Sequence, residues 1–286
     1  MSHHHTTRHF YGFIFLALGA LLSSCASKPE APVLRPLGAE AQALTTTRLA
    51  ALLPMDVLLL GEQHDAPEHQ QIHQQVIALL AQRSLLGAVA LEMADAGVSS
   101  ARLHPSSTEQ EARNALKWND KGWPWEAYGP AVMTAVRAGV LVVGANLPRE
   151  SMRGSMGDST LDGQLSGPAL KAQQQQIRIG HCNLLPESQI TPMTRIQIAR
   201  DIRMAETLRE VALPGKVVVL LAGSGHADRL LGVPQHLPAS LKVKAVRLRA
   251  GYSAPADNTG AFDAVWPTPA LPEKDYCAAF KAQIDK

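Results

Sequence analysis

Val57-Leu58-Leu59-Leu60 runs into Gly61-Glu62-Gln63-His64, and roughly 160 residues later Val217-Val218-Val219-Leu220-Leu221 runs through Ala222 into Gly223-Ser224-Gly225-His226. Each copy is an apolar run of strand length that ends in glycine and then presents a histidine. Runs apolar at every position belong to strands covered on both faces, the pattern of a parallel sheet. In an open parallel sheet the carboxyl ends of the strands line one edge, where ligands bind. The two copies therefore predict that His64 and His226 meet at one crevice.

Working outward, further apolar runs predict strands over 88–93, 141–145, 243–248 and 262–266. Between the first two strands, 67–83 carries Ile72, Val76, Leu79 and Leu80 on one stripe and reads as a crossover helix, with Asp65 as its N-cap. The stretch 195–211 also has helical spacing, at Ile198, Ile202, Ala205 and Leu208. Gly154, Gly157, Gly163 and Gly167 make 151–167 read as a flexible loop or lid. The expected fold is α/β, a mostly parallel sheet flanked by helices, with a small all-helical subdomain inserted. Two helical insertions, around 99–138 and 149–213, would build that subdomain over the sheet edge.

Glu92 ends the second predicted strand and Asn146 the third. Glu62, His64, Glu92, Asn146 and His226 therefore form a candidate constellation at one rim. Two histidines and a carboxylate suffice as a first shell for a divalent metal, and equally as a base with its orienting acid. The bland alternative is that the glutamates cap helix N-termini and the histidines are satisfied loop residues. His69 and His73, four apart on the crossover helix, share a face as metal-binding pairs do. Among Gln70, Gln71, Gln74 and Gln75 they also read as solvated helix surface.

The first 25 residues have a different character. Arg8 precedes an apolar run over 10–22, long enough for a signal-peptide core and short for a membrane span, and the run closes in Leu22-Ser23-Ser24-Cys25. That is the pattern of a bacterial lipobox, in which Cys25 is acylated and becomes the new N-terminus; several acyl chains on one cysteine anchor stably. Ala26 rather than aspartate after the cysteine predicts the outer membrane, facing the periplasm. An Ala-, Pro- and Glu-rich tether over 25–43 then leads to a domain over 44–286.

The mature chain would have 262 residues, a net charge of +1 and seven histidines. Near-neutral charge without a basic run argues against nucleic-acid binding, which needs clustered Lys and Arg. Cys182 and Cys277 are the remaining cysteines, and an oxidising periplasm would allow a disulfide whose existence spacing alone leaves open.

Trp118-Asn119-Asp120-Lys121-Gly122-Trp123-Pro124-Trp125-Glu126-Ala127-Tyr128 holds three of the four tryptophans. It reads as a flat apolar ligand surface or as a hydrophobic clasp. Tyrosine oxygen is a ligand for ferric iron and one of the axial haem ligands, which draws attention to Tyr128 and, as a competitor, to Tyr252.

Gly61-Glu62-Gln63-His64-Asp65, Leu91-Glu92-Met93, Gly144-Ala145-Asn146-Leu147-Pro148-Arg149, Gly180-His181-Cys182, Arg200-Asp201 with Met204-Ala205, and Gly223-Ser224-Gly225-His226 together resemble the ChaN-like haem-binding lipoproteins. These belong to a wider superfamily with the TraB and Tiki proteins and the erythromycin esterases. The resemblance runs from about Leu44 to the end of the chain. It implies a parallel α/β domain with a small helical domain, iron-regulated expression, and a homodimer that holds two stacked haems. It also implies that each iron is bound by a tyrosine of one subunit, while a histidine and a lysine of the other bind propionates. Carried over residue by residue, the iron ligand falls on Tyr128, with Trp118 and Trp125 nearby, or on Tyr252. The lysine falls on Lys121 or Lys117, and the histidine on His64, His69 or His226. An outer-membrane haem receptor is an implied partner. Relatives elsewhere in the superfamily hydrolyse substrates with the matching positions, Glu62, His64, Glu92 and His226, and Tiki proteins do so with a metal. The alternative expectation is therefore a metal-dependent or acid/base hydrolase. The absence of a Gly-x-Ser-x-Gly elbow disfavours a serine esterase.

Overall fold

The computed structural model describes residues 37–251 and 260–284. The predicted apolar runs form six strands: β1 (Val57–Glu62), β2 (Leu86–Asp95), β3 (Leu141–Asn146), β4 (Val217–Gly223), β5 (Val243–Ala250) and β6 (Ala264–Thr268). They make one sheet in the order β3-β2-β4-β1-β5-β6, and every pairing is parallel. β1 and β4, the two strands read first from the sequence, are neighbours at the centre, with Glu62 paired in register to Gly223.

Side chains alternate across the sheet, as the two-residue strand period requires. Leu58, Leu60, Val89, Leu91, Val219 and Leu221 face a core shared with α1 (Ala39–Leu52), α2 (Pro67–Gln82), α3 (Glu109–Ala115) and α4 (Trp125–Arg137). Val57, Leu59, Ala88, Ala90, Val218 and Leu220 face Met204, Ala205 and Leu208 of α7 (Glu187–Val211) on the other side. Each valine or leucine among them removed from water stabilises the fold by roughly 1.5–3 kcal/mol, so two covered faces account for strands apolar at every position. Among the described residues no helix is long and apolar enough to cross a membrane.

Several expectations change. The glycine-containing stretch 151–167 is ordered: α5 (Arg149–Gly157), a 3₁₀ turn over Ser159–Gly163, and the start of α6 (Gly167–Gly180). Arg195 grips Asp162 through Nε and Nη2, Ser166 caps α6, and Leu161 and Leu165 are buried against Ile198 and Ala199, which outweighs the glycines' conformational entropy. The two helical insertions join different layers. The first packs with α2, while the second forms its own small apolar cluster along α7. α1 begins at Ala39, inside the stretch read as tether; Cys25, the signal segment and the rest of that tether lie outside the described residues.

At the chain's end α8 (Tyr276–Ile284) follows an irregular segment over 269–275 and is joined to the α6–α7 turn by a disulfide between Cys182 and Cys277.

Candidate functional site

Glu62, His64, Glu92, Asn146 and His226 do converge at the carboxyl edge of the sheet. β1 delivers Glu62, whose buried carboxyl group lies between three elements. Its Oε1 accepts from Tyr128 Oη of α4 at 2.5 Å and lies 2.7 Å from His64 Nδ1. Its Oε2 accepts from Gln70 Nε2 of α2 at 2.8 Å and lies 3.6 Å from His73 Nδ1. β2 delivers Glu92, whose Oε2 accepts from the backbone N–H of Gly223 at 2.7 Å. Asn146 of β3 donates to the Glu92 carbonyl at 2.9 Å. Glu92 stands between the two histidines, 4.0 Å from His64 Nε2 and 3.5 Å from His226 Nε2. On its far side His226 Nδ1 meets Asp201 Oδ1 of α7 at 2.6 Å.

The motif glycines are explained by close approach. A Cβ on Gly223 would lie 2.9 Å from His64 Nε2, and one on Gly61 would lie 2.8 Å from Ser224 Cα. A side chain at Gly61 would run into backbone, and one at Gly223 would fit only if the His64 ring moved.

Charge is distributed by burial and pairing. Burial alone would lower the His226 pKa, but the charges of Glu92 and Asp201 and their hydrogen bonds outweigh it and lift the imidazole to about 10. Glu92 is pushed up by burial and pulled down further by His226, His64 and the Gly223 N–H, to about 2. Asp201, equally buried and repelled by Glu92, is held near 6 despite His226. Glu92 therefore carries the charge that His226 balances. His64 is raised, because its hydrogen bond to Glu62 and the charge of Glu92 overcome burial.

Tyr128 is 1% exposed, and its hydroxyl proton is held by Glu62. Burial and the Glu62 carboxyl group raise its pKa, so it stays a phenol within the core. Trp118 and Trp123 pack on its ring with centroids 6.1 and 5.8 Å away, and Trp125 meets Trp118 edge to face at 5.0 Å. The aromatic stretch thus forms the clasp reading, with one extension: Trp123 also reaches the exposed His64 ring at 4.9 Å. Lys117 and Lys121 are exposed on the same loop.

His69 and His73 are not helix surface. Both are fully buried, because positions 69, 72, 73, 76, 77 and 80 form one inward stripe of α2. His69 Nδ1 accepts from the Gln63 N–H at 3.0 Å and its Nε2 meets Thr268 Oγ1 at 3.0 Å; burial, reinforced by His73, lowers its pKa to about 4. Asp65 does not cap α2, whose N-cap is Ala66 without a side-chain bond. Its carboxylate instead accepts from Tyr276 Oη at 2.7 Å and lies 3.5 Å from Lys274 Nζ. Tyr252 lies outside the described residues.

Asp201, Gln70 and Tyr276 were given no site role by the sequence, and His73 entered only as the partner of His69 on a shared helix face. Asp201 had a legible signal, since it stands on the stripe Ile198, Asp201, Ala205, Leu208, an acid among core positions. Tyr276 had none.

Among the described residues no three His, Cys, Asp or Glu side chains are arranged to hold a metal ion. The rim groups pair extensively, but both ring nitrogens of His73, Asn146 Oδ1 and Asp201 Oδ2 are buried without a hydrogen-bond partner. Beside Glu92 and Asn146 opens a cavity of about 340 Å³, whose wall also includes Asp95, Lys117, Trp123 and Arg149.

The structure is similar to that of ChaN of Campylobacter jejuni with heme bound cofacially, at 28% identity and a TM-score of 0.62, over 73% of this chain and 87% of that one. It is also similar to the type III effector HopBA1, at 15% identity and a TM-score of 0.49, over 84% of this chain and 99% of that one. A search of curated proteins returns no match. Residues 48–237 match the family model described as haem-binding uptake, Tiki superfamily, ChaN, and with about two thirds of its length inside that match the chain belongs to this haem-binding family.

Proposed function

We propose that this member of the haem-binding family is a lipid-anchored protein of bacterial iron acquisition, held through Cys25 at the outer membrane and facing the periplasm, where it exchanges haem with an outer-membrane receptor. The lipobox supports the anchor. The Cys182–Cys277 disulfide supports an oxidising compartment, where such bonds persist.

The observation that carries the binding site is the phenol of Tyr276. Of the two tyrosines among the described residues it is the exposed one, at 46%, and its Oη sits on Asp65, next in sequence to His64. Ferric haem brings a Lewis-acidic iron that takes an anionic tyrosine oxygen. Tyr128 is closed to that role by its burial and by Glu62. Asp65 accepts a hydrogen bond from Tyr276 Oη and orients the oxygen; that bond raises the tyrosine's pKa, so it is the Lewis-acidic iron that must displace the proton. The residues fit the group in other respects. His64, its side chain 42% exposed and its pKa raised, offers an imidazolium to a propionate, and Lys121 or Lys117 offers an ammonium. The cavity beside Glu92 mixes charged side chains, Glu92, Asp95, Lys117, Arg149 and Glu150, with apolar ones, and we lay the macrocycle along the rim beside it. Haem-loaded chains pair through two stacked haems, as in the cofacial arrangement of the Campylobacter protein.

The test is hemin titration of the full-length protein by absorption and sedimentation. Ferric tyrosinate absorption is expected in the wild type, lost in Tyr276→Phe and kept in Tyr128→Phe, and hemin should shift monomer to dimer. Loss in Tyr252→Phe but not in Tyr276→Phe would transfer the ligand to the neighbouring segment. A wild type that binds no hemin would end the reading.

A further inference from the structure

We propose that the Cys182–Cys277 disulfide is the positioning device of the haem site: it holds Tyr276 over the His64 rim, so that the site is assembled only in the oxidised protein. The proposal rests on the assignment of Tyr276 as iron ligand.

Little else among the described residues holds α8 in place. It has nine residues, too few for an isolated helix to persist in water. Among its described side chains none is buried, and the half-buried Phe280 meets one ring, His181, at 5.5 Å. Among the described residues the remaining non-covalent contacts from this segment to the rim are at the surface: Tyr276 Oη on Asp65, a 3.4 Å contact from Gln63 Nε2, and the Lys274–Asp65 pair, whose lysine is 57% exposed. Exposed pairs of this kind hold a segment weakly. The covalent link is adjacent to the ligand, since Cys277 follows Tyr276 directly.

The other end of the link is built for it. Cys182 ends α6 with φ 57 and Asn183 follows with φ 55, two successive residues in the left-handed region where helix ends ordinarily use glycine. A cysteine in that conformation is retained at a cost, and the bond to α8 is the feature that uses it. The bond joins residues 95 apart in sequence, with α7, β4, β5 and β6 between them, so it ties α8 back to the α6–α7 turn.

The consequence is a haem site sensitive to thiol redox state. A dithiol that passes two electrons and two protons to the pair leaves as its own disulfide, and Cys182 and Cys277 become two thiols. Tyr276 is then free to leave Asp65, and haem loses its ligand.

The experiment compares oxidised full-length wild type, Cys182→Ser/Cys277→Ser and Tyr276→Phe. Both cysteines are changed together because a single free thiol beside Tyr276 could itself bind iron. The double variant is expected to keep its far-UV circular dichroism, lose the ferric tyrosinate absorption and bind hemin at least tenfold more weakly. Haem-free protein gives a second reading, in which hydrogen exchange over 274–281 should accelerate in the double variant and in wild type reduced by dithiol and capped with iodoacetamide. Should the double variant fail to fold, that capped wild type takes its place in the hemin titration. A double variant with wild-type spectrum, affinity and exchange would overturn the proposal and leave the Tyr276 reading intact. A Tyr276→Phe protein that keeps the wild-type spectrum would instead remove the ligand assignment, and the proposal with it.

Discussion

Tyr128 Oη donates to Glu62 Oε1 across 2.5 Å, and this bond separates the roles of the two described tyrosines. It ties α4 to the end of β1 and holds the Tyr128 hydroxyl inside the core, whereas the exposed Tyr276 donates to a surface carboxylate.

Tyr128→Phe should therefore act on stability. Removing the hydroxyl deprives a buried carboxyl oxygen of a donor, which costs about 1–3 kcal/mol. Urea denaturation should show a lowered midpoint with an unchanged slope, while hemin affinity stays at the wild-type value. Unchanged stability would mean that Glu62 does not depend on this donor.

Gly223→Ala tests the packing of the rim. The added methyl must displace the His64 ring, which is partly exposed and can swing outward, so the fold should survive with a loss of about 1–2 kcal/mol. The His64 imidazole NMR resonances should move and its pKa fall towards the ordinary value as it leaves Glu62. If the resonances stay in place, the close approach of Gly223 to His64 is not real.

His226 predicts an alkaline limb in stability. Its folded pKa, about 10, is raised above the ordinary 6.5, so its ion pairing contributes fully below pH 6.5 and is lost as pH rises through about 10. Glu92, depressed from 4.5 to about 2, contributes above pH 4.5 and loses that contribution as pH falls through 2. Asp201, raised from 3.8 to about 6, works in the opposite sense and costs stability as pH rises across that interval. The melting temperature should decline from pH 6.5 to 10 by several degrees in the wild type, and His226→Gln should melt lower but with a flat alkaline limb. Equal slopes in the two proteins would refute the ion-pair account.

Cys25→Ser tests the anchor. Metabolic labelling with a fatty-acid analogue should mark the wild type and leave the variant unlabelled; a labelled variant would dispose of the lipoprotein reading.

What could be read in advance had a local period. Six apolar runs became six parallel strands because burial on both faces leaves its mark on every residue of a strand. The two glycine–histidine copies met because strand ends share one edge in any parallel sheet. His69 and His73 were misread because the glutamines around them masked the stripe they share with Ile72 and Val76. Asp201 was recognisable as an acid among core positions, but its partner was not.

The sheet, the crossover helix and the convergence of Glu62, His64, Glu92 and His226 are legible in the chain alone, since apolar periodicity and strand polarity are properties of short segments. Which of the two described tyrosines is exposed depends instead on long-range packing. Tyr128 is closed by a carboxyl group 66 residues away, and Tyr276 is brought to Asp65 across 211 residues. Contacts at such separations depend on strand order and on the Cys182–Cys277 bond, and no local pattern records either.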